Sequence, residues 1–400
     1  MIKVLVICSK LPPEYSGSGN RIFDTYKRLE KKYNVNASFV SSSTVKNYSH
    51  IYNYKKKKIK CISNKIFKTY ESKNIFTKIY NYAIFRLNYL NELIPIFLFL
   101  FKNYKKYDLL HIIGNVNITN SSITFCKIFN IPNLIEIVNY TDKPFYYEPL
   151  LVNLFFNKGY PKLSIISVIS KKIFKVFKRN KIRNFLWHKP NPTKPKFINK
   201  KIKKLKIFKN KVVILHLAKF IPRKKHDFLI EVLNDLPNKY VLILAGPLEK
   251  KGTNSERDKN YFNSLKKKID KNNLNKRVKI IPKFVKKPEV LINSCDIFAL
   301  PSIKEGLGTT ILEATALKKP VICNNLKDTF DTWIKHKKNG FLCELNKDKW
   351  VKNILSIGEL KKRNIEEIGN KNYKITNVEK IDSEYLEMFK KLRKNVKKIN

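Results

Sequence analysis

Three prolines fall within six residues in Lys189-Pro-Asn-Pro-Thr-Lys-Pro-Lys196. Proline lacks an N–H and restricts the residue before it, so no helix or strand runs through this stretch, and a domain boundary belongs here. The same order of signals appears on both sides. On the amino side, Lys3 to Cys8 reads as a buried strand. A loop, Lys10-Leu-Pro-Pro-Glu-Tyr-Ser-Gly-Ser-Gly19, follows it. Ile22, Phe23, Tyr26 and Leu29 then fall at helical spacing, and Val35, Ala37 and Phe39 alternate as a second strand. Strand, glycine loop, helix, strand opens a doubly wound parallel sheet, whose first loop turns backbone N–H groups toward an anion. Beyond the prolines the pattern restarts with strand Val212 to Leu217, helix Asp227 to Leu236 and strand Tyr240 to Ala245 ending in Gly246. Strands Val278 to Ile281 and Asp296 to Pro301, helix Thr309 to Leu317 and strand Pro320 to Cys323 follow.

Within the first half, Asp108 to Ile113, Asn133 to Val138 and Ser164 to Ser170 read as further parallel strands. Lys55 to Asn81 is polar, basic and tyrosine-rich, and is expected to hold one or two surface helices. Ile381, Tyr385, Met388, Phe389 and Leu392 form an apolar stripe on a last helix. The expected organisation is one domain over 1–190, a second over 191–372 and a terminal helix over 373–400. With no fixed-period repeat, solenoids and propellers are excluded.

The 400 residues carry 83 Lys+Arg against 31 Asp+Glu, a net charge of +52, and only ten of the cations are Arg. The charge is spread evenly: 36 basic against 9 acidic residues up to position 200, and 47 against 22 beyond it. A dedicated nucleic-acid surface concentrates charge and favours the arginine fork. An even lysine excess fits a solvated basic shell, although its field also attracts anionic membranes and phosphorylated ligands. The six cysteines, Cys8, Cys61, Cys126, Cys295, Cys323 and Cys343, are scattered singly, with no C-x-x-C pair and no zinc-ligand spacing. This reads as a reduced, cytosolic chain. The longest wholly apolar run, Leu93 to Phe101, contains Pro95 and is about half of what a membrane-spanning helix requires, so no such helix is expected.

Chemistry concentrates in Phe298-Ala-Leu-Pro-Ser-Ile-Lys-Glu-Gly-Leu-Gly-Thr-Thr-Ile-Leu-Glu313. A strand ends at Pro301, Glu305 sits in a loop with Gly306 and Gly308, and a helix opens at Thr309. Its N-terminus offers unpaired N–H donors to a phosphate, while Glu305 and Glu313 suit sugar or ribose hydroxyls. On spacing alone, an ordinary strand–loop–helix joint with a solvated Glu305 fits equally well. A second segment, His216-Leu-Ala-Lys-Phe-Ile-Pro-Arg-Lys-Lys-His-Asp227, sets Lys219 and Lys224 five apart after a strand. There they either neutralise a diphosphate leaving group or are simply solvated. His111 and His216 read as strand and core histidines, and Asp142 and Glu148 as ordinary loop carboxylates. No D-x-D pair is present to hold a nucleotide-bound metal, so no metal or other cofactor is expected.

These segments together resemble the family-4 glycosyltransferases. The E-x7-E motif of that family matches Glu305 to Glu313 and continues into Pro320-Val-Ile and Asn339-Gly-Phe-Leu342. Its basic signature resembles Ala218-Lys219-Phe220 and Lys224-Lys225, with Lys219 where Arg is usual. Its amino-terminal Gly-Gly loop resembles Ser16-Gly17, and its linker signal resembles Pro190-Asn191-Pro192. The resemblance implies an α/β GT-B fold: two Rossmann-like doubly wound domains facing across a cleft, with the C-terminal helix returning to the first. It implies a retaining enzyme moving a sugar from a nucleotide-sugar to a glycan or lipid-linked acceptor, in bacterial surface polysaccharide synthesis. By the same resemblance, Glu305 and the backbone of Gly306, Leu307, Gly308 and Thr309 hold the donor sugar. Glu313 holds the ribose, Lys219 and Lys224 hold the diphosphate, and Gly17 lies on the donor side of the first domain. The competing readings are a nucleotide-sugar isomerase of the same architecture and a basic nucleic-acid binder.

Overall fold

The computed structural model describes residues 1–396 apart from 15, 43–48, 63–73, 115–116, 140–158, 194–209 and 250–254. Asp142, Glu148, the last proline of the 189–196 segment and the middle of the 55–81 stretch therefore lie outside the described residues. Contacts divide the chain into two compact units. One is Met1–Ile169, Ile173–Lys189 and Ile381–Asn400, and the other is Ser170–Lys172 and Pro190–Lys380.

In the first unit the strands are β1 (Ile2–Cys8), β2 (Val35–Ser41), β3 (His50–Tyr54), β4 (Lys57–Cys61), β5 (Leu109–Ile113), β6 (Asn133–Ile137), β7 (Ser164–Val168) and β8 (Phe185–His188). They form one sheet in the order β3-β4-β2-β1-β5-β6-β7-β8. All pairs are parallel except β3 with β4. β5, β6 and β7 are buried along their whole length, as strands covered on both faces must be. Among the described residues its helices include α1 (Gly17–Lys32), α2 (Ile75–Asn103), α3 (Asn117–Ile128) and, from Ile173 on, α4 (Lys171–Arg179).

Two features depart from expectation. Lys55 and Lys56 are not helical: they form a tight turn with φ of 45° and 66°, and join β3 to β4 in a hairpin. The usual glycine or asparagine that betrays such a turn is missing. The run Leu93 to Phe101 lies inside α2, a helix of 29 residues that continues through Pro95. By length and composition α2 is sufficient to cross a membrane, with an 18-residue window of mean hydropathy 1.4, of which 33% is buried. Single polar residues such as Arg86, Asn88 and Glu92 break the run in sequence without breaking the helix.

The last helix, α11 (Val378–Val396), contributes Ile381, Tyr385, Phe389 and Leu392 to the core of this unit, each no more than 1% exposed. Behind Tyr385 lies a buried ionic cluster. Glu136 in β6 is contacted by Arg21 Nη2 at 2.6 Å, Lys189 Nζ at 3.2 Å and His111 Nε2 at 3.3 Å. It also accepts a hydrogen bond from Tyr385 Oη. Burial alone raises a carboxyl, but Arg21 and Lys189, joined by His111, outweigh it and hold Glu136 well below its ordinary range. His111 is anchored through Nδ1 to Tyr26 Oη at 2.7 Å, so it is a structural group of the core.

The second unit has a single parallel sheet of β9 (Val212–Leu217), β10 (Tyr240–Ala245), β11 (Val278–Ile281), β12 (Ile297–Leu300), β13 (Val321–Cys323) and β14 (Gly340–Leu342). Its order is β11-β10-β9-β12-β13-β14. This is the doubly wound order 3-2-1-4-5-6. Helices α5 (His226–Asp235), α6 (Ser255–Lys271), α7 (Pro288–Ser294), α8 (Thr309–Ala316), α9 (Lys347–Leu355) and α10 (Lys362–Thr376) cover it. All six cysteines are free and buried.

Removing one partner of a buried ion cluster leaves uncompensated charges in a dry core. Glu136→Ala is therefore expected to cost about 3–5 kcal/mol of folding stability, read as a lowered urea midpoint. An unchanged midpoint would show that the cluster does not hold α11 to the sheet.

Candidate functional site

In a doubly wound sheet the chain leaves the first strand to one side and later returns on the other. The loops after these two strands then splay apart at their carboxyl ends and leave a crevice. In the second unit these strands are β9 and β12, and the loops are 218–225 and 301–308. The segments singled out in the sequence are therefore neighbours.

The two loops are joined directly. Pro222–Lys224 forms a 3-10 turn, and Ile303 N donates to Arg223 O at 3.0 Å. Lys224 Nζ pairs with Glu305 Oε1, and Arg223 Nη1 lies 3.7 Å from Glu305 Oε2. Burial pushes the Lys224 ammonium below its ordinary range, against the pull of Glu305. His216 donates at Nδ1 to Ala299 O, 2.9 Å away, and burial lowers it to about 4. His216 is thus a neutral imidazole, set edge-on against His226 with ring centroids 4.4 Å apart.

Gly308 caps α8 at φ 74°, and a Cβ there would meet the Phe330 ring at 2.5 Å, so only glycine fits. Leu307 is buried beside it, while Gly306, Thr309 and Glu305 are half-buried. The first turn of α8 carries the positive end of its dipole, with Thr309 and Thr310 leading it, while Ile311 N donates to Gly308 O at 2.9 Å. Asn191 Nδ2 donates to Thr309 Oγ1 at 2.7 Å, which brings the Pro-Asn-Pro segment to this helix end. Glu313 lies one turn into α8, and burial, reinforced by Glu289, pushes its carboxyl up to about 7.

Lys219 is engaged elsewhere in the same loop: its Nζ pairs with Glu249 and lies 3.2 Å from Asp258 Oδ2. Neither carboxylate stands out in the sequence, because Glu249 follows a strand-end loop and Asp258 sits on a helix with no motif around it. Gly246 at the end of β10 has φ 149°, and a Cβ there would strike Ala218 O at 1.9 Å, which fixes the entry to this loop. Gly17 lies in the other unit. It is the exposed first residue of α1, with nothing within 4 Å of a built Cβ, and Ser16 before it caps the helix by accepting from Gly19 N at 3.1 Å. The glycine that packing requires is Gly19, where a Cβ would meet Lys10 O at 2.0 Å. Among the described residues no group of three His, Cys, Asp or Glu side chains is arranged to hold a metal ion.

The raised Glu313 pKa sets a pH dependence. The folded chain retains a proton there that the unfolded chain releases near the ordinary 4.5, so this group's contribution to stability falls as pH rises from 4.5 to about 7. Glu313→Gln is expected to abolish that part of the slope. Identical denaturation midpoints against pH for both proteins would refute it.

Residues 197–374 match the family model described as glycosyl transferases group 1. An uncharacterized glycosyltransferase of Haemophilus influenzae is 31% identical over 173 residues, 42% of this chain and 43% of its own length. An O-antigen biosynthesis glycosyltransferase, WclY of Escherichia coli, is 32% identical over 109 residues, 27% of each chain. The chain thus matches less than half the length of these curated relatives. The solved structure of Anabaena HepE in complex with UDP and glucose superposes with a TM-score of 0.69 at 17% identity, covering 98% of this chain and 100% of that one.

Proposed function

With residues 197–374 matching the group 1 glycosyl transferases and the chain folded as a GT-B protein, we propose a retaining glycosyltransferase. It moves a sugar from a nucleotide-sugar to a glycan or lipid-linked acceptor in bacterial surface polysaccharide synthesis. The observation that carries this reading is the pairing of Lys224 with Glu305 beside the amino end of α8, at the carboxyl ends of β9 and β12. Cations and helix amides for a diphosphate thus stand next to carboxylates for sugar hydroxyls. The O-antigen role of the Escherichia coli relative supports the pathway, and the UDP and glucose held by the Anabaena protein support the donor class.

In this reading the 191–372 domain binds the donor and the 1–190 domain the acceptor. Glu305 and the amides of Gly306, Leu307, Gly308 and Thr309 hold the sugar, Glu313 the ribose, and Lys219 and Lys224 the diphosphate, with Gly17 on the first-domain side. The acceptor hydroxyl attacks the anomeric carbon on the face from which the diphosphate departs. The C1–O bond to phosphate breaks as the new glycosidic bond forms, and the hydroxyl proton passes to a leaving phosphate oxygen. Configuration is retained, and rate comes from positioning and charge stabilisation. The lysines and helix amides take the role of a cation, so transfer requires no metal. The enzyme works in the cytoplasm, held by its +52 charge at an anionic membrane surface.

Glu305→Ala, Lys224→Ala and Glu313→Ala are each expected to lower kcat/KM about ten- to 150-fold, the worth of one charge-assisted hydrogen bond of roughly 1.5–3 kcal/mol. Glu313 touches a part of the donor that does not react, so its loss raises KM for the donor. Lys224 faces charge that grows as the diphosphate leaves, so its loss falls on kcat. Wild-type kinetics in both Lys224→Ala and Glu313→Ala, at unchanged melting temperature, would sink this site.

Transfer is further expected to survive EDTA. Complete loss, restored by magnesium or manganese, would show that a cation and not the lysines stabilises the leaving group.

A further inference from the structure

Among the described residues, α2 carries an uncovered apolar stripe along its length. Phe76, Leu87, Leu90, Ile94, Leu98 and Phe101 are each 49–78% exposed. At 100° per residue they fall within a single sector of roughly 80°, and the stripe runs about 37 Å at 1.5 Å per residue. The opposite side packs on α3, with Tyr89 Oη 3.4 Å from Thr124 Oγ1, and the flank of the stripe is closed by Phe97, edge-on to Phe125 at 5.2 Å, and at its end by Phe129, 5.9 Å from Phe101. Soluble surfaces rarely leave an apolar face of this extent open, so it needs an occupant.

Charge decides between occupants. The only carboxylate on α2, Glu92, is buried at 7% exposure, whereas Lys78 and Lys102 are exposed and Lys105 and Lys106 follow in the next turn. An apolar face whose own helix brings only cations to the surface complements acyl chains beneath anionic headgroups. A second copy of this chain would bring another +52 against the same border. A spanning orientation is disfavoured, because it would strip α2 from α3 and expose Glu92 and Asn88 to lipid.

We infer that α2 lies in the plane of an anionic bilayer and inserts this stripe among the lipids. The inference deepens the membrane reading given above and rests on it, but adds an inserted element to an attraction of charge.

The test is binding of the full chain to vesicles of phosphatidylglycerol and phosphatidylcholine. We compare wild type with Leu87→Gln/Leu90→Gln/Ile94→Gln/Leu98→Gln, whose changed side chains are exposed and should leave the melting temperature in place. The inference expects wild type to remain partly bound at high salt and the variant to bind at least tenfold more weakly. A single Leu90→Trp substitution gives a second readout: its added emission should shift to the blue on binding and be quenched by brominated acyl chains. Equal binding of variant and wild type, complete release of wild type by salt, or an added indole that stays unquenched would overturn the inserted helix while leaving the charge-held membrane reading intact. No wild-type binding at all would overturn both. Self-association that the quadruple substitution abolishes, without vesicle binding, would identify the face as a contact between copies and equally overturn the inference.

Discussion

A carboxylate without water must find cations, and the first unit is organised around that demand. Glu136 sits on a central strand where desolvation opposes its charge, so it draws Arg21 from α1, Lys189 from the chain leaving β8, and the Tyr385 hydroxyl from α11. These groups are distant in sequence, so the cluster joins α1, β6, the end of β8 and α11. Around it pack apolar side chains such as Phe389 and Leu392, and Tyr26 ties the cluster to α1 through its hydroxyl on His111.

In the second unit the corresponding constraint is electrostatic balance around two loop lysines. Lys219 and Lys224 are the cations expected to face a diphosphate, yet each is already paired, the first with Glu249 and Asp258 and the second with Glu305. This arrangement keeps each partly buried ammonium from being stranded.

Much of this is legible in the chain because period and punctuation agree: prolines at 190 and 192, a strand ending in glycine, and Glu305 at a strand-loop-helix joint. The doubly wound order follows from those signals. What is not legible has a physical reason in each instance. The hairpin at Lys55-Lys56 lacks a turn residue that betrays positive φ. The helix Ile75–Asn103 is longer than its apolar runs, because single polar residues fall on its buried side as well as its open one. The partners of Lys219 are carboxylates 30 and 39 positions away with no motif between them, so only tertiary structure joins them.

The lysine turn has a wider consequence. Among the described residues, six lysines (55, 56, 181, 225, 318 and 337) occupy left-handed backbone positions, in a chain with only 11 glycines. A side chain in that region costs roughly 1–2 kcal/mol relative to the right-handed form, and glycine escapes the cost. Set against the roughly 5–15 kcal/mol by which native domains are typically stable, the sum over these six positions is of comparable size. A composition that favours lysine over glycine is thereby written into the thermodynamics, and at every one of these positions except Lys225, which lies in the 218–225 loop, the fold holds a reserve of stabilising substitutions at turns outside the candidate site.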